Sequence, residues 1–243
     1  MNIIVTDDYE KMSRAAADVI STLVSEKPDC VLGLATGSTP IGLYAELVKD
    51  CAAGKISFAD VDTYNLDEYR GLPGDHVQSY RYFMNDNLFD HVDIDKARTH
   101  VPDGACADAE AACTAYEEAI DAAGGVDLQL LGLGHNGHIG FNEPCEEFPK
   151  TTHCVQLTES TINANSRLFD SIDEVPREAY TMGIGTIMKA REILVVANGE
   201  GKADIVKRAF FGPVTPEVPA SVLQFHPNVT VIVDAEAGSK LDL

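Results

Sequence analysis

The chain has 243 residues, which is long enough for one substantial hydrophobic core, and we predict a single α/β domain over residues 1–243. Apolar residues make up 45% and charged residues 23% of the sequence, which excludes a disordered or fibrous protein. The formal net charge of −21 would repel nucleic-acid phosphate and anionic lipid, so we expect neither nucleic acid nor a membrane as a partner. No apolar run is long enough to cross a bilayer and the first residues do not resemble a secretory signal, so the expected location is the cytoplasm.

Short β-rich runs alternate with amphipathic helical patterns along the whole chain. This alternation predicts βα units in a doubly wound, mostly parallel sheet with helices on both faces, a Rossmann-like fold. The predicted strands are 3–6, 30–34, 61–66, 126–133, 154–157, 180–184, 192–197 and 229–233. The predicted helices are 9–26, one through Leu43 and Leu47, 80–89, 107–123, 159–169 and 202–211. The run 126–133 is almost wholly apolar, so we expect it in the centre of the sheet.

Small polar residues follow the second predicted strand, at 35–40. Gly37, Ser38 and Thr39 would let backbone N–H groups and hydroxyls approach an anion at the start of the next helix. The segment is not a nucleotide P-loop, because it lacks the lysine of that motif. It fits equally well a tight turn in which Ser38 or Thr39 caps the helix and Pro40 takes the first helical position. Phosphate binding and helix capping therefore both remain open.

Two adjacent carboxylates, Asp67 and Glu68, come directly after the third predicted strand. In open α/β sheets ligands bind at the carboxyl ends of the strands, so a side chain placed here could face a binding crevice. Asp67 is the candidate general base. Its structural alternative is to cap the turn that follows.

The segment 134–144 contains two histidines, a glutamate and two asparagines among glycines that permit close approach of a ligand. His138 and Glu143 could form a base and a carboxylate that orients it. The spacing of His135 and His138 also suggests zinc, but a structural zinc site needs four ligands and no cysteine pair accompanies them. A nucleophilic Cys145 is a further alternative, although nothing in the sequence marks it as a thiolate.

Two basic residues, Arg167 and Lys202, lie in or at the start of predicted helices. Either one alone would more often be an ordinary surface charge. A phosphate bound by a protein of net charge −21 nevertheless needs local cations, so both are candidates for phosphate binding.

The segments 66–69 (LDEY) and 137–144 (GHIGFNEP), in this order and spacing, resemble the glucosamine-6-phosphate deaminase family. The resemblance covers nearly the whole chain, because 35–40, 164–170 and 183–186 also fit the pattern of that family. It implies the conversion of glucosamine 6-phosphate and water to fructose 6-phosphate and ammonia.

The resemblance also implies a role for each candidate residue. His138, assisted by Asn136 and Glu143, would accept the proton that opens the sugar ring. Asp67 would then take the proton from C2 and help return one at C1, through an enol-amine-like intermediate. No metal or organic cofactor is implied for this chemistry.

The implied phosphate site consists of Gly37, Ser38 and Thr39 with neighbouring backbone N–H groups. Arg167 and Lys202 would supply the positive charge that overcomes the acidity of the protein.

The chain departs from the family pattern at two places. Some members have aspartate where this chain has Asn136, and an amide can orient His138 but cannot share its charge. Members regulated by N-acetylglucosamine 6-phosphate tend to be hexameric and to continue past the position of Leu243. We therefore expect a monomer or small homo-oligomer without that regulation.

Two alternatives remain from the residues. A 6-phosphogluconolactonase resembles this family in fold and in its Gly-His loop, but lacks the continuation 141–144. A sugar-phosphate sensor would bind without turnover, but such proteins usually carry a DNA-binding module, and this chain shows no basic patch.

Overall fold

The computed structural model describes residues 1–166, 169 and 171–242. The strands, in chain order, are β1 (Asn2–Thr6), β2 (Val31–Leu34), β3 (Asp62–Asn65), β4 (Asp67–Tyr69), β5 (Thr99–His100), β6 (Leu128–Gly132), β7 (His153–Gln156), β8 (Glu178–Thr181), β9 (Glu192–Ala197) and β10 (Val229–Asp234). The α-helices are α1 (Tyr9–Glu26), α2 (Ile41–Ala52), α3 (Tyr80–Met84), α4 (Ala109–Ala122), α5 (Glu159–Asn165), α6 (Ile184–Ile187) and α7 (Ala203–Phe211). A π-helical turn, Asn85–Phe89, extends α3, and 3-10 helices cover Lys96–Arg98, Ile172–Glu174, Glu200–Lys202 and Pro219–Phe225.

Seven strands form one sheet in the order β1-β10-β9-β6-β2-β3-β5, and each pair is parallel. Helices flank this sheet, so the predicted doubly wound fold is confirmed. The strand β6 takes the middle position, as its apolar run predicts, and Leu130 and Leu131 are fully buried.

The helix α1 illustrates how the local sequence sets these elements. Asp8 caps it, because its side chain accepts a hydrogen bond from the backbone N–H of Lys11 at 2.8 Å. Met12, Ala16 and Ile20, spaced four residues apart, turn one face of the helix into the core and are fully buried.

A second, three-stranded antiparallel sheet has the order β4-β8-β7. The strand predicted over 61–66 is present as β3, but the polar loop predicted after it was wrong. The main-sheet strand ends at Asn65, and Asp67–Tyr69 forms a strand of the second sheet opposite Ala179 to Thr181. Leu66 joins the two sheets, because its N–H donates to Leu34 of the first and its carbonyl accepts from Met182, just past β8.

Several predicted boundaries also need correction. The helix predicted over 80–89 changes to π geometry at Asn85, and the strand predicted over 180–184 ends at Thr181. The two-residue strand β5 was not predicted, because it is too short to show a pattern. Of the two alternatives left open for 35–40, capping of α2 by Ser38 or Thr39 is not found, because Pro40 takes the cap position and no side chain bonds there.

In the part of the chain that the structure describes, none of the helices combines the length and apolarity that crossing a membrane requires.

Candidate active site

A cavity of about 250 Å³ opens at the carboxyl ends of the central strands. The three polar segments selected from the sequence all reach it. The lining residues are Ala35 to Pro40 after β2, Leu66 and Asp67 after β3, Gly132 to Gly134 at the end of β6, and His138, Gly140, Phe141 and Tyr80. The three segments therefore meet in one crevice, as expected for polar segments that follow strands of an open α/β sheet.

Asp67 lines this cavity with 7% of its surface exposed. Burial, together with the neighbouring charge of Glu68, raises the pKa of the Asp67 carboxyl to about 8. A carboxyl group with this pKa is a much stronger base than an ordinary aspartate and still ionises near neutral pH. The arrangement suits removal of a proton from carbon.

His138 lines the same cavity and forms a chain of polar contacts behind its ring. Its Nδ1 lies 2.8 Å from the amide oxygen of Asn136 and 3.4 Å from Oε1 of Glu143. The amide nitrogen of Asn136 donates to Oε2 of Glu143 at 2.6 Å. The hydrogen bond from His138 is the largest of the effects that lower the pKa of the Glu143 carboxyl. The charge of the imidazole and the hydrogen bond from Asn136 lower it further. Glu143 is therefore held as a carboxylate behind the ring.

Gly134 makes room for the imidazole. A Cβ at this position would lie 2.4 Å from three ring atoms of His138, much closer than any real contact. A second glycine, Gly140, has a φ of +58°, and a Cβ there would lie 2.7 Å from Oγ1 of Thr181. Residues 134–144, the histidine loop, can therefore pack tightly over the three-stranded sheet only because both positions are glycine.

Thr181 connects the histidine loop to the strand of Asp67. It lies directly across from Asp67 in the pairing of β4 and β8. Its hydroxyl oxygen accepts a hydrogen bond from the N–H of Phe141 at 3.0 Å, and the amide of Asn142 donates to the carbonyl of Met182 at 2.8 Å. These bonds fix the position of His138's loop relative to the buried acid.

The loop after β2 is held from outside the cavity by Tyr9. The Tyr9 hydroxyl donates to the carbonyl of Thr39 at 3.0 Å and accepts from the N–H of Gly42 at 2.8 Å. Gly37 has a φ of +101°, and both Gly37 and Ser38 are exposed at the cavity. The hydroxyl of Thr39 donates to the side chain of Asn198 at 2.8 Å, so this side chain is already engaged.

Of the two basic candidates for phosphate binding, Lys202 lies next to the cavity. Lys202 is half-buried, and its ammonium donates to the carbonyl of Leu133, a lining residue, at 2.6 Å. Burial lowers the pKa of its amine. Arg167 lies outside the described residues.

The alternative chemistries find no support in the contacts. Nδ1 of His135 lies 3.3 Å from the carbonyl of Gly201, away from the His138 chain. Across the described ranges, histidine, cysteine and carboxylate groups do not form a cluster of three that could hold a metal ion. Cys145 is exposed, donates to the carbonyl of Glu147 and does not line the cavity.

Two aromatic lining residues, Tyr80 and Phe141, were not selected from the sequence. Their rings are parallel within 2° and their centroids lie 6.1 Å apart, so they form one wall of the cavity. Phe141 could have been found from its place inside the glycine-rich segment. Tyr80 starts a helix rather than following a strand of the main sheet, so no local signal marks it.

A buried acid of raised pKa and an oriented histidine line one cavity at the carboxyl ends of a doubly wound sheet, an arrangement typical of α/β enzymes of acid–base chemistry. The chain belongs to the family of glucosamine-6-phosphate isomerases and 6-phosphogluconolactonases, whose family model matches residues 7–232.

Similar proteins cover the full chain. The glucosamine-6-phosphate deaminase of Clostridium perfringens strain 13 is 55% identical over 241 residues, which is 99% of this chain and 100% of that protein. The glucosamine-6-phosphate deaminase of Thermoanaerobacter pseudethanolicus is 54% identical, over 98% of this chain and 94% of that protein.

Solved structures give the same picture of the fold. The structure of a monomeric glucosamine-6-phosphate deaminase superposes with a TM-score of 0.95 at 45% identity, over 99% of this chain and 100% of that one. The 6-phosphogluconolactonase from Trypanosoma cruzi has a TM-score of 0.80 at 22% identity, over 100% of this chain and 97% of that one. The latter likeness shows a shared fold only.

Proposed function

We propose that this chain converts glucosamine 6-phosphate and water to fructose 6-phosphate and ammonia. The observation that carries the proposal is the presence of Asp67 and His138 on one cavity, in a chain 55% identical over its length to a glucosamine-6-phosphate deaminase. The lactonase and sensor alternatives have less support, because the likeness to lactonase structures is confined to the fold and both an acid and a base line the cavity.

The first step is ring opening. His138 accepts the proton of the anomeric hydroxyl through Nε2, because Nδ1 is turned to the oxygen of Asn136. The carboxylate of Glu143 stabilises the imidazolium that forms. The imidazolium gives its proton to the ring oxygen as the bond from that oxygen to C1 breaks, which leaves the open-chain aldehyde and the neutral imidazole.

The second step moves the double bond. Asp67 takes the proton from C2, the electron pair forms the C1–C2 double bond of an enol-amine, and the carbonyl oxygen of C1 takes up a proton to become a hydroxyl. Return of a proton to C1 produces an imine at C2. Water adds to this imine and ammonia leaves, so the atoms of the substrate and one water are all accounted for in fructose 6-phosphate and ammonia.

The phosphate is held at the loop after β2. Gly37 and Ser38 line the cavity, where their backbone N–H groups and the Ser38 hydroxyl would bind the phosphate. Thr39 would contribute through its backbone, because its hydroxyl bonds to Asn198. Lys202 supplies positive charge beside Leu133, and we propose Arg167 as the second cation.

The direct test is ammonia release from glucosamine 6-phosphate by the purified protein, followed with a coupled ammonia assay in the presence and absence of a chelator. We expect turnover that the chelator does not change. Loss of activity to the chelator with recovery on adding zinc would instead support a metal site at His135 and His138.

We further propose that the protein is a cytoplasmic monomer, like the monomeric deaminase that it resembles in structure.

A further inference from the structure

Glu68 is a buried carboxylate that the reaction scheme does not use. Only 2% of its surface is exposed, and it does not line the cavity. It follows Asp67 directly in β4, and successive side chains of a strand point to opposite faces. The charge of Glu68 is therefore directed away from the substrate and must have another role.

The carboxylate of Glu68 accepts three hydrogen bonds from backbone N–H groups. Oε1 accepts from the N–H of its own neighbour Tyr69 at 2.8 Å and from Tyr80 at 2.9 Å. Oε2 accepts from the N–H of Arg81 at 2.9 Å. The last two groups belong to the first turn of α3, whose N–H groups have no partner within the helix.

These bonds connect two parts of the cavity. Asp67 is the residue before Glu68, and Tyr80 is one of the two residues whose N–H groups Glu68 holds in α3. Both Asp67 and Tyr80 line the cavity. The guanidinium of Arg81 donates to the hydroxyl and carbonyl of Thr99 at 2.6 and 2.8 Å, so it is engaged on the other side.

We propose that Glu68 is a positioning residue for the deamination: its carboxylate holds the first turn of α3, and with it the ring of Tyr80, against the strand that carries Asp67. This proposal rests on the proposed function.

The charge of Glu68 has an electrostatic consequence. Burial raises the pKa of the Glu68 carboxyl, and the three backbone N–H bonds oppose this rise by favouring its charged form. Glu68 is adjacent to Asp67 in β4, and Arg81 lies beyond Glu68. Three tyrosines face Asp67: Tyr44 from α2, Tyr80 from α3 and Tyr116 from α4. His138 of the histidine loop lines the same cavity. Burial raises the pKa of all three tyrosines, so they stay neutral while Asp67 titrates. The anionic neighbour that opposes ionisation of Asp67 is Glu68, and its removal should lower the pKa of Asp67.

The test compares Glu68→Gln and Glu68→Asp with the wild type. The glutamine keeps the size of the side chain but loses the charge and leaves an N–H of α3 facing an amide nitrogen. We expect kcat to fall by about tenfold or more, with KM changed by less than about threefold, because Tyr80 is no longer fixed. In the pH profile of kcat/KM, the acidic limb should move to a pH about one unit lower, because Asp67 then ionises more easily.

The aspartate variant separates position from charge. It keeps the charge on a shorter side chain, so kcat should fall while the acidic limb stays within about 0.3 pH units of wild type. Glu178→Gln is the matched control, because Glu178 lies on the neighbouring strand β8 in an ion pair with Arg70 at 2.6 Å. This control should change neither kcat nor the limb.

A titration that needs no turnover distinguishes this proposal from the proposed function. Carbon-13 NMR of aspartate carboxyls, with Asp67→Asn to assign the signal, follows the ionisation of Asp67 directly. A lower midpoint in Glu68→Gln supports the proposal even if the substrate is not glucosamine 6-phosphate. An unchanged midpoint in the folded variant, or wild-type kcat in both Glu68 variants, would overturn it. If Glu68→Gln does not fold, an unchanged kcat in Glu68→Asp would overturn it alone.

Discussion

The imidazole of His138 and the amide of Asn136 form a directed pair, with Nδ1 of the ring 2.8 Å from the amide oxygen. The orientation of the amide is fixed by its nitrogen, which donates to the carboxylate of Glu143 at 2.6 Å. Nδ1 of the neutral ring must therefore carry the proton, which leaves Nε2 free to accept one. An amide at position 136 sets the tautomer without adding charge.

The first prediction concerns this amide. In Asn136→Asp a second carboxylate beside His138 stabilises the imidazolium, so a higher pH is needed to free the base. The ratio of kcat/KM between the variant and the wild type should rise by about tenfold between about pH 6 and pH 9. The measurement is a parallel pH profile of both proteins, and a ratio that does not depend on pH would contradict this role of Asn136.

The second prediction concerns Gly134. In Gly134→Ala the new methyl group would overlap the ring of His138 at 2.4 Å and displace it. We expect kcat to fall by about a hundredfold, since a shift of about 1 Å in a catalytic group has this effect. Gly201→Ala is the control, because its Cβ would lie 3.4 Å from His135, an ordinary contact. Equal activity of the two variants would show that the position of the imidazole does not limit the rate.

The third prediction concerns the cost of burying Asp67. Its pKa is about 8 in the folded protein, against 3.8 ordinarily, so between these values the folded chain binds a proton that the unfolded chain has released. The contribution of Asp67 to the free energy of unfolding therefore falls as the pH rises from about 4 to about 8. Asp67→Asn should slow turnover by about a thousandfold. It should also raise the free energy of unfolding by at least about 1 kcal/mol at pH 8.5, with little difference near pH 4.

Urea unfolding of Asp67→Asn and wild type at both pH values measures this difference. A variant less stable than wild type at pH 8.5 would mean that the Asp67 carboxyl is stabilised by its surroundings.

The fourth prediction concerns Lys202. Lys202→Gln removes the cation beside Leu133 and should raise KM by about tenfold or more, with kcat within about threefold, because phosphate binding supports both ground and transition states. Lys207→Gln is the control, because Lys207 lies on α7 and forms an exposed ion pair with Asp242. A larger effect on kcat than on KM would place Lys202 in the chemical step instead.

Much of the site could be predicted because polar segments follow strands of a parallel sheet. The alternation of elements indicated the fold, and the carboxyl ends of β2, β3 and β6 then placed the segments of Ser38, Asp67 and His138 together. The pair formed by His138 and Glu143 was also expected, and the structure places them 3.4 Å apart.

The parts that could not be predicted depend on contacts between distant segments. Nothing local shows that Asp67 begins a strand, because the pairing partner Thr181 lies more than a hundred residues away. Two further features are likewise tertiary contacts. The hydroxyl of Thr39 donates a hydrogen bond to Asn198, and the carboxylate of Glu68 accepts three from backbone N–H groups. Single-residue patterns carry no information about such partners.

The most direct test of the account is product formation by the wild type, Asp67→Asn and His138→Gln proteins from glucosamine 6-phosphate. The account predicts that wild type releases ammonia and fructose 6-phosphate in equal amounts, and that each variant is slower by about a thousandfold. Wild-type protein that releases no ammonia but hydrolyses 6-phosphogluconolactone would contradict it.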